Sequence, residues 1–433
     1  MPRIQDHLRK LSWIAADRFL LVGYGLVALL QIRALSPSEY GLYALLVSIQ
    51  TWIFVVADGL VLQSIVQFGA ERSQRPVLDG TIAVLYAAAI ACIVCCIILS
   101  EPVLSLLFGE PRFANVVALE AILCVATVPR TYCLRLLQRD VQTRQMFWID
   151  AAWVGSMSVA TAHGITTGWL RDFESLATVA IGGIALSSIT ALWLCRGILR
   201  FAKPSSSMMK RLVTFGLQQM SAGAIHTSIR QLDVTVAQAF FGTAAVGTYQ
   251  AAKTIFRLFE VALDAAGSVV YPAVVSFHHT GDRDALYAVV SKAISAMFVV
   301  SCAMSIGIWV GGDIIGTVLG ERYAAAVGQL RILAVAGVLM PFMLSSIVLV
   351  ASGRSVLHTA MVVCGALVGV MCFIACGVVG QTGLFPLGVV AYYATVSTGD
   401  WWTLRRTGVL RLSGADLFRS IPDALSFLKR WSK

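Results

Sequence analysis

Lys253, Arg257, Glu260 and Asp264 stand at i, i+4, i+7 and i+11 within "KTIFRLFEVALD", inside a long apolar stretch. That spacing puts two cations and two carboxylates on one helical face. Such a stripe can hold an anion, exchange a proton or small cation, or close on itself as an ion-pair ladder, Arg257 with Glu260 at i+3. Arginine suits phosphate groups in particular, because its planar fork donates two parallel hydrogen bonds. Arg230 and Asp233 form a second pair three residues apart, with a private ion pair as the alternative to a binding role.

Asp17, Arg18, Asp58 and Arg130 are further ionisable residues in apolar segments. Arg257, Lys253, Arg230 and Arg18 are the candidates for binding an anion. Asp58, Asp264, Glu260 and Asp233 are the candidates for coupling to a proton or sodium ion. Arg18 and Arg130 lie nearer a membrane surface, where an arginine can snorkel, and Arg130 reads as an interfacial anchor. His226 reads as a hydrogen-bonded histidine, with proton transfer as the alternative.

These residues count as unusual only because of what surrounds them. The chain of 433 residues is 58% hydrophobic and 13% charged, with a mean hydropathy of +0.79. That composition marks a polytopic membrane protein and leaves no room for a soluble catalytic domain. A charged side chain at membrane depth costs a few kcal/mol, about 2.5–3.5 on insertion scales, so each one needs a partner or water. The ten cysteines fall in apolar segments, away from histidines and carboxylates at metal-ligand spacing, and read as small hydrophobic fillers. With no nucleotide loop, metal cluster or nucleophile triad in the sequence, the expectation is a protein without cofactor or metal that is not an enzyme.

Apolar windows long enough to span a bilayer fall near 12–33, 42–68, 80–100, 116–135, 146–168 and 176–196. Six more follow near 212–241, 248–275, 288–311, 326–352, 358–380 and 384–404. The expected fold class is therefore all-α, with twelve transmembrane helices. Placing both termini in the cytoplasm puts most of the lysines and arginines on that side, leaving Arg33, Arg112, Arg171 and Arg322 opposite. The first apolar segment reads as a retained span. The net charge of +10 then reflects short loops beside anionic membrane lipids and does not imply nucleic-acid binding. The expected domains are a six-helix lobe over 1–203, a second over 204–404 and a basic amphipathic tail over 405–433 lying in the inner interface.

The two halves echo one another. Gly41 and Tyr43 match Gly247 and Tyr249, Asp58 falls on Asp264, and Gly109-Glu110 resembles Gly320-Glu321. Near-constant offsets argue for a duplication. Six spans per copy make it a parallel repeat, and transporters so built bind substrate between their halves. Only the aspartate of the opening stripe recurs, since Val47, Thr51 and Phe54 stand where the second copy has Lys253, Arg257 and Glu260. Gly365 and Gly369 have the spacing of a close helix contact.

"RALSPSEYGLYALLVSI", "RQLDVTVAQAFFGTAAVGTYQAA" and "YPAVVSF" resemble the polysaccharide-transporter flippases of the multidrug/oligosaccharidyl-lipid/polysaccharide exporter superfamily. The resemblance covers about Ala15 to Leu404. It implies a V-shaped, two-lobed bundle whose central cavity alternates between the membrane faces. The implied cargo is an oligosaccharide on undecaprenyl diphosphate, moved across the bacterial inner membrane for O-antigen, exopolysaccharide or capsule assembly. A polysaccharide polymerase and a chain-length regulator are implied as partners.

Two other functions compete. A cation-coupled multidrug exporter of the same superfamily would share the repeat and the deep carboxylates, but its cationic cargo calls for an acidic cavity, and the candidate residues here are slightly basic in sum. A polymerase, ligase or glycosyltransferase generally carries a large outer loop. The longest outer connection, about Glu101 to Asn115, is short and plain.

Overall fold

The computed structural model describes residues 4–69, 73–406 and Pro422, with the side chains of 4–11, 14–15, 107–108, 218–219, 221–230 and 279 outside the described set. The expected amphipathic tail lies almost wholly outside the described residues. All regular structure among them is helical. The first helices are α1 (Ile4–Ala34), α2 (Pro37–Ala57), α3 (Gln63–Phe68), α4 (Arg75–Phe108), α5 (Phe113–Arg139), α6 (Thr143–Thr166), α7 (Phe173–Cys195) and α8 (Ser206–Phe241). There follow α9 (Thr243–Thr280), α10 (Arg283–Val310), α11 (Gly312–Leu319), α12 (Ala324–Leu339), α13 (Ser345–Ala351), α14 (Ser355–Val379) and α15 (Leu387–Arg406).

Because α2 runs into α3 and α12 into α13 through short irregular turns, the described residues form twelve long helical stretches, one at each expected span. Eight are long and apolar enough to cross a membrane. The other four are α1, α6, α8 and α15, which carry Asp17, Asp150, Asp233 and Asp400 respectively.

Local chemistry sets the helix ends. Ser36 caps α2, its hydroxyl accepting from the Glu39 N–H at 3.3 Å, with Pro37 entering the first turn. Asp172 and Ser175 form a reciprocal capping box at α7. Gly109 (φ 61°) ends α4 and Gly320 (φ 91°) follows α11, so the two glycines matched by the repeat both adopt a positive φ before a new helix. Between α2 and α3 a π turn, Asp58–Leu62, adds a residue to the helix. Against it Gly216 of α8 packs so closely that a Cβ there would overlap the Leu60 carbonyl.

The chain divides into compact units at Met1–Gly247 and Thr248–Lys433. α8 packs on α2, α4 and the π turn and falls with them in the first of these units. The first unit is held in part by a buried charge cluster. The Arg139 guanidinium donates to Asp79 at 2.7 Å, both side chains under 5% exposed, while Arg75 pairs with Asp140 at 3.2 Å. In the second unit α14 and α15 meet at the predicted small residues. A Cβ on Gly365 would lie 2.6 Å from Val396, and one on Gly369 would lie 2.9 Å from the Gly388 carbonyl.

The most informative contact in the first unit joins the repeated glycines. A Cβ on Gly41 would overlap the Thr243 carbonyl and lie 3.1 Å from the Gly247 nitrogen; one on Gly247 would overlap the Pro37 carbonyl and lie 2.9 Å from the Gly41 nitrogen. The environments are reciprocal, as expected where equivalent points of two repeats cross. Gly41→Ala and Gly247→Ala should each destabilise the purified protein by about 1–3 kcal/mol through forced overpacking, read as a lowered melting temperature in detergent. Gly155→Ala, where the added Cβ meets open space, is the control. Asp79→Ala should cost about 3–5 kcal/mol by stranding Arg139, and Asp79→Leu combined with Arg139→Met should recover most of it.

Candidate functional site

Two sets of ionisable residues emerge, one in each unit. In the first, α5 supplies three arginines, and each pairs with an aspartate of a different helical segment. Arg130 pairs with Asp150 of α6 and donates to Ser187 Oγ of α7 at 3.1 Å, while its guanidinium lies 5.1 Å from the Trp153 ring centre. Arg135 grips Asp58, at the start of the π turn, through two hydrogen bonds of 2.7 and 2.6 Å. Arg139 binds Asp79 of α4. Arg130 is therefore turned into the helix bundle rather than anchored at an interface.

Asp17 of α1 lies beside Asp150, and its Oδ1 is buried with no hydrogen-bond partner among the described residues. The two carboxyl groups thus stand together, Arg130 paired with Asp150 and the charges of Arg18 and Arg130 both acting on Asp17. Glu120 of α5 is 1% exposed and accepts from Cys124 Sγ at 3.1 Å, with Oε2 buried and without a hydrogen-bond partner among the described residues. Sequence spacing singled out neither Asp150 nor Glu120. The available signal was a carboxylate in an apolar segment, the same signal that Asp58 carried.

At the opposite end of α5, Arg112 joins Glu39 at 2.5 Å and Glu174 at 2.6 Å. Arg112 lies between helices, and its hydrogen bond to Glu39 holds its proton more firmly than in an ordinary arginine. This cluster ties α2, α5 and α7 together at their ends.

In the second unit the opening stripe lies along α9. Its apolar side, Ala252, Phe256 and Phe259, is buried, whereas Arg257 and Asp264 are exposed. Arg257 makes no ion pair or hydrogen bond among the described residues, so the Arg257–Glu260 ladder does not form. Glu260 instead accepts from the Tyr393 hydroxyl at 3.5 Å. Lys253 is half-buried, its ammonium 5.9 Å from the Tyr249 ring centre. Arg331 of α12, absent from the sequence candidates, lies 5.6 Å from the Trp309 ring centre.

Arg18 of α1 is exposed. Asp233 of α8 is 3% exposed and accepts from the Val234 N–H at 2.7 Å. The side chains of Arg230 and His226 lie outside the described residues. Thus Arg257, Lys253, Glu260 and Asp264 share one helix, Asp58 belongs to the paired set on α5, and Arg18 and Asp233 stand on other helices. The described residues hold no group of three or more His, Cys, Asp or Glu suited to a metal ion.

No curated protein matches the chain. Among solved structures, an inward-facing multidrug resistance MATE family transporter of the MOP superfamily aligns with a TM-score of 0.70 at 15% identity, covering 92% of this chain and 98% of that one. The lipid II flippase MurJ, in an inward closed conformation, aligns with a TM-score of 0.68 at 14% identity, covering 97% and 91%. An outward-facing MATE family transporter gives a TM-score of 0.59 at 13% identity, covering 91% and 94%. At these identities the likeness establishes a shared fold. The sequence match is to the family described as polysaccharide biosynthesis protein, over residues 31–328. That match takes in more than half of the chain, which therefore belongs to the polysaccharide biosynthesis protein family.

Proposed function

We propose that this protein is a flippase that moves undecaprenyl-diphosphate-linked oligosaccharide units from the inner to the outer leaflet of the bacterial inner membrane. In this reading both termini are cytoplasmic, transport proceeds by alternating exposure to the two faces, and no covalent chemistry is involved. The product feeds O-antigen, exopolysaccharide or capsule synthesis, with a polymerase and a chain-length regulator as partners downstream. The family and the fold shared with a lipid II flippase support this reading.

The observation that carries it is Arg257, an exposed guanidinium within a spanning helix that makes no ion pair or hydrogen bond among the described residues. A cation at that depth needs water or an anion, and a diphosphate supplies both charge and fork-matching oxygens. Lys253 adds a second positive charge one turn earlier on α9. Arg230 and Arg18 are assigned to the headgroup during entry. Glu260, Asp264, Asp233 and Asp58 are assigned to ion coupling; for Asp58 this requires Arg135 to release it.

A cation-coupled exporter is the second reading, favoured by the Asp17–Asp150 carboxyl pair. The two separate in a deletion strain complemented with wild type, Arg257→Ala or Arg230→Ala. The flippase reading expects the deletion to accumulate lipid-linked units inside and to lose polymer. Losing one charge-assisted contact, about 1.5–3 kcal/mol, should make Arg257→Ala at least tenfold slower at equal membrane abundance. A deletion strain with normal polymer and no accumulated units removes the flippase reading, and a fully active Arg257→Ala removes the assignment of Arg257.

A further inference from the structure

A groove on the surface of α6 and α7 belongs neither to the charge clusters nor to the α9 stripe. It encloses about 620 Å³. Its shape follows from residue size: Ala151 and Ala152 leave a low floor, while Trp148 and Trp193 stand as walls, 49% and 60% exposed. Outward-facing tryptophans on spanning helices sit at the level of lipid headgroups.

One end of this groove is basic. Because α6 begins at Thr143, α7 ends at Cys195 and the two pack together, Arg144 and Arg196 come to the same end. Arg144 lies 5.9 Å from the Trp13 ring centre and Arg196 lies 5.4 Å from that of Trp193. Neither has a carboxylate partner among the described residues. Gln145 lines the same end, and its Oε1 is buried with no hydrogen-bond partner among the described residues.

An apolar trough, two guanidinium groups without counterions and a buried acceptor in need of a donor together describe one kind of ligand. We propose that the α6–α7 groove is a site for an anionic phospholipid with a hydroxyl-bearing headgroup, of the phosphatidylglycerol class. An acyl chain occupies the trough between the tryptophans, the phosphate meets Arg144 and Arg196, and a headgroup hydroxyl donates to Gln145. A glycan would be poorly served here, because the Thr190 hydroxyl on the wall already donates to the Leu186 carbonyl at 2.9 Å.

The test uses the full-length protein, delipidated in detergent and titrated separately with phosphatidylglycerol, phosphatidylcholine and undecaprenyl phosphate, with bound lipid counted by native mass spectrometry. Phosphatidylglycerol should bind in preference to the other two. Arg144→Gln should weaken it about fivefold, the worth of one basic residue at an anionic surface. Ala152→Trp, which fills the trough without changing charge, should abolish it, and thermal melts of the lipid-free variants report whether each remains folded. Equal retention of phosphatidylglycerol and phosphatidylcholine overturns the proposal, as does binding undiminished in Arg144→Gln. Tighter binding of undecaprenyl phosphate overturns it too, and reassigns the groove to the carrier lipid.

Discussion

A charge taken into a membrane-spanning bundle is tolerated where another helix brings its counterion, and in the first unit that helix is α5. Arg130, Arg135 and Arg139 reach Asp150, Asp58 and Asp79, which lie on α6, on the π turn after α2, and on α4. A buried pair adds little net stability over an apolar contact, yet losing either member leaves a stranded charge. The three pairs therefore act mainly as register marks. Sliding or rotating α5 by a turn would break all of them at once, so the surrounding helices have one arrangement to settle into.

The twelve helical stretches and the glycine contacts were legible in the sequence because each depends on composition within a single segment. Apolar runs end where Gly109, Gly320 and Gly380 permit a positive φ. Gly365 and Gly369 announce a close helix approach whatever the partner. The partners of the charges were not legible. Helical spacing offers neighbours at i+3 and i+4, which is why an Arg257–Glu260 ladder stood among the alternatives. The pairs that form instead span 20, 60 and 77 residues, as in Arg130–Asp150, Arg139–Asp79 and Arg135–Asp58. Arg135 ends the expected span 116–135 and Arg139 follows it, and nothing within α5 distinguishes an arginine facing headgroups from one facing an aspartate.

The packing of α8 has a similar origin. Hydropathy separates α7 from α8 at a polar connection, and by that measure α8 opens the second half. Packing links α8 backward, because Gly216 lets it close on the π turn at Leu60. The π turn supplies the matching irregularity, since an added residue in α2 re-aims the helix after Asp58. Only the pairing of these two features, one on each helix, makes the contact, and neither is conspicuous alone.

Duplication does not make Asp58 and Asp264 equivalent. Asp58 begins a π turn and is held by Arg135, whereas Asp264 lies in the uninterrupted helix α9 and is exposed. The second copy offers no arginine to match, since the corresponding stretch, 341–346, reads Pro-Phe-Met-Leu-Ser-Ser. The cation has in effect changed helices. In the first copy it stands on α5 and neutralises the aspartate; in the second it stands on α9 itself, as Lys253 and Arg257, beside the buried Phe256 and Phe259. A charge placed that way cannot serve as a register mark. Under the proposed function it meets the anionic cargo, and that asymmetry is what the repeat isolates.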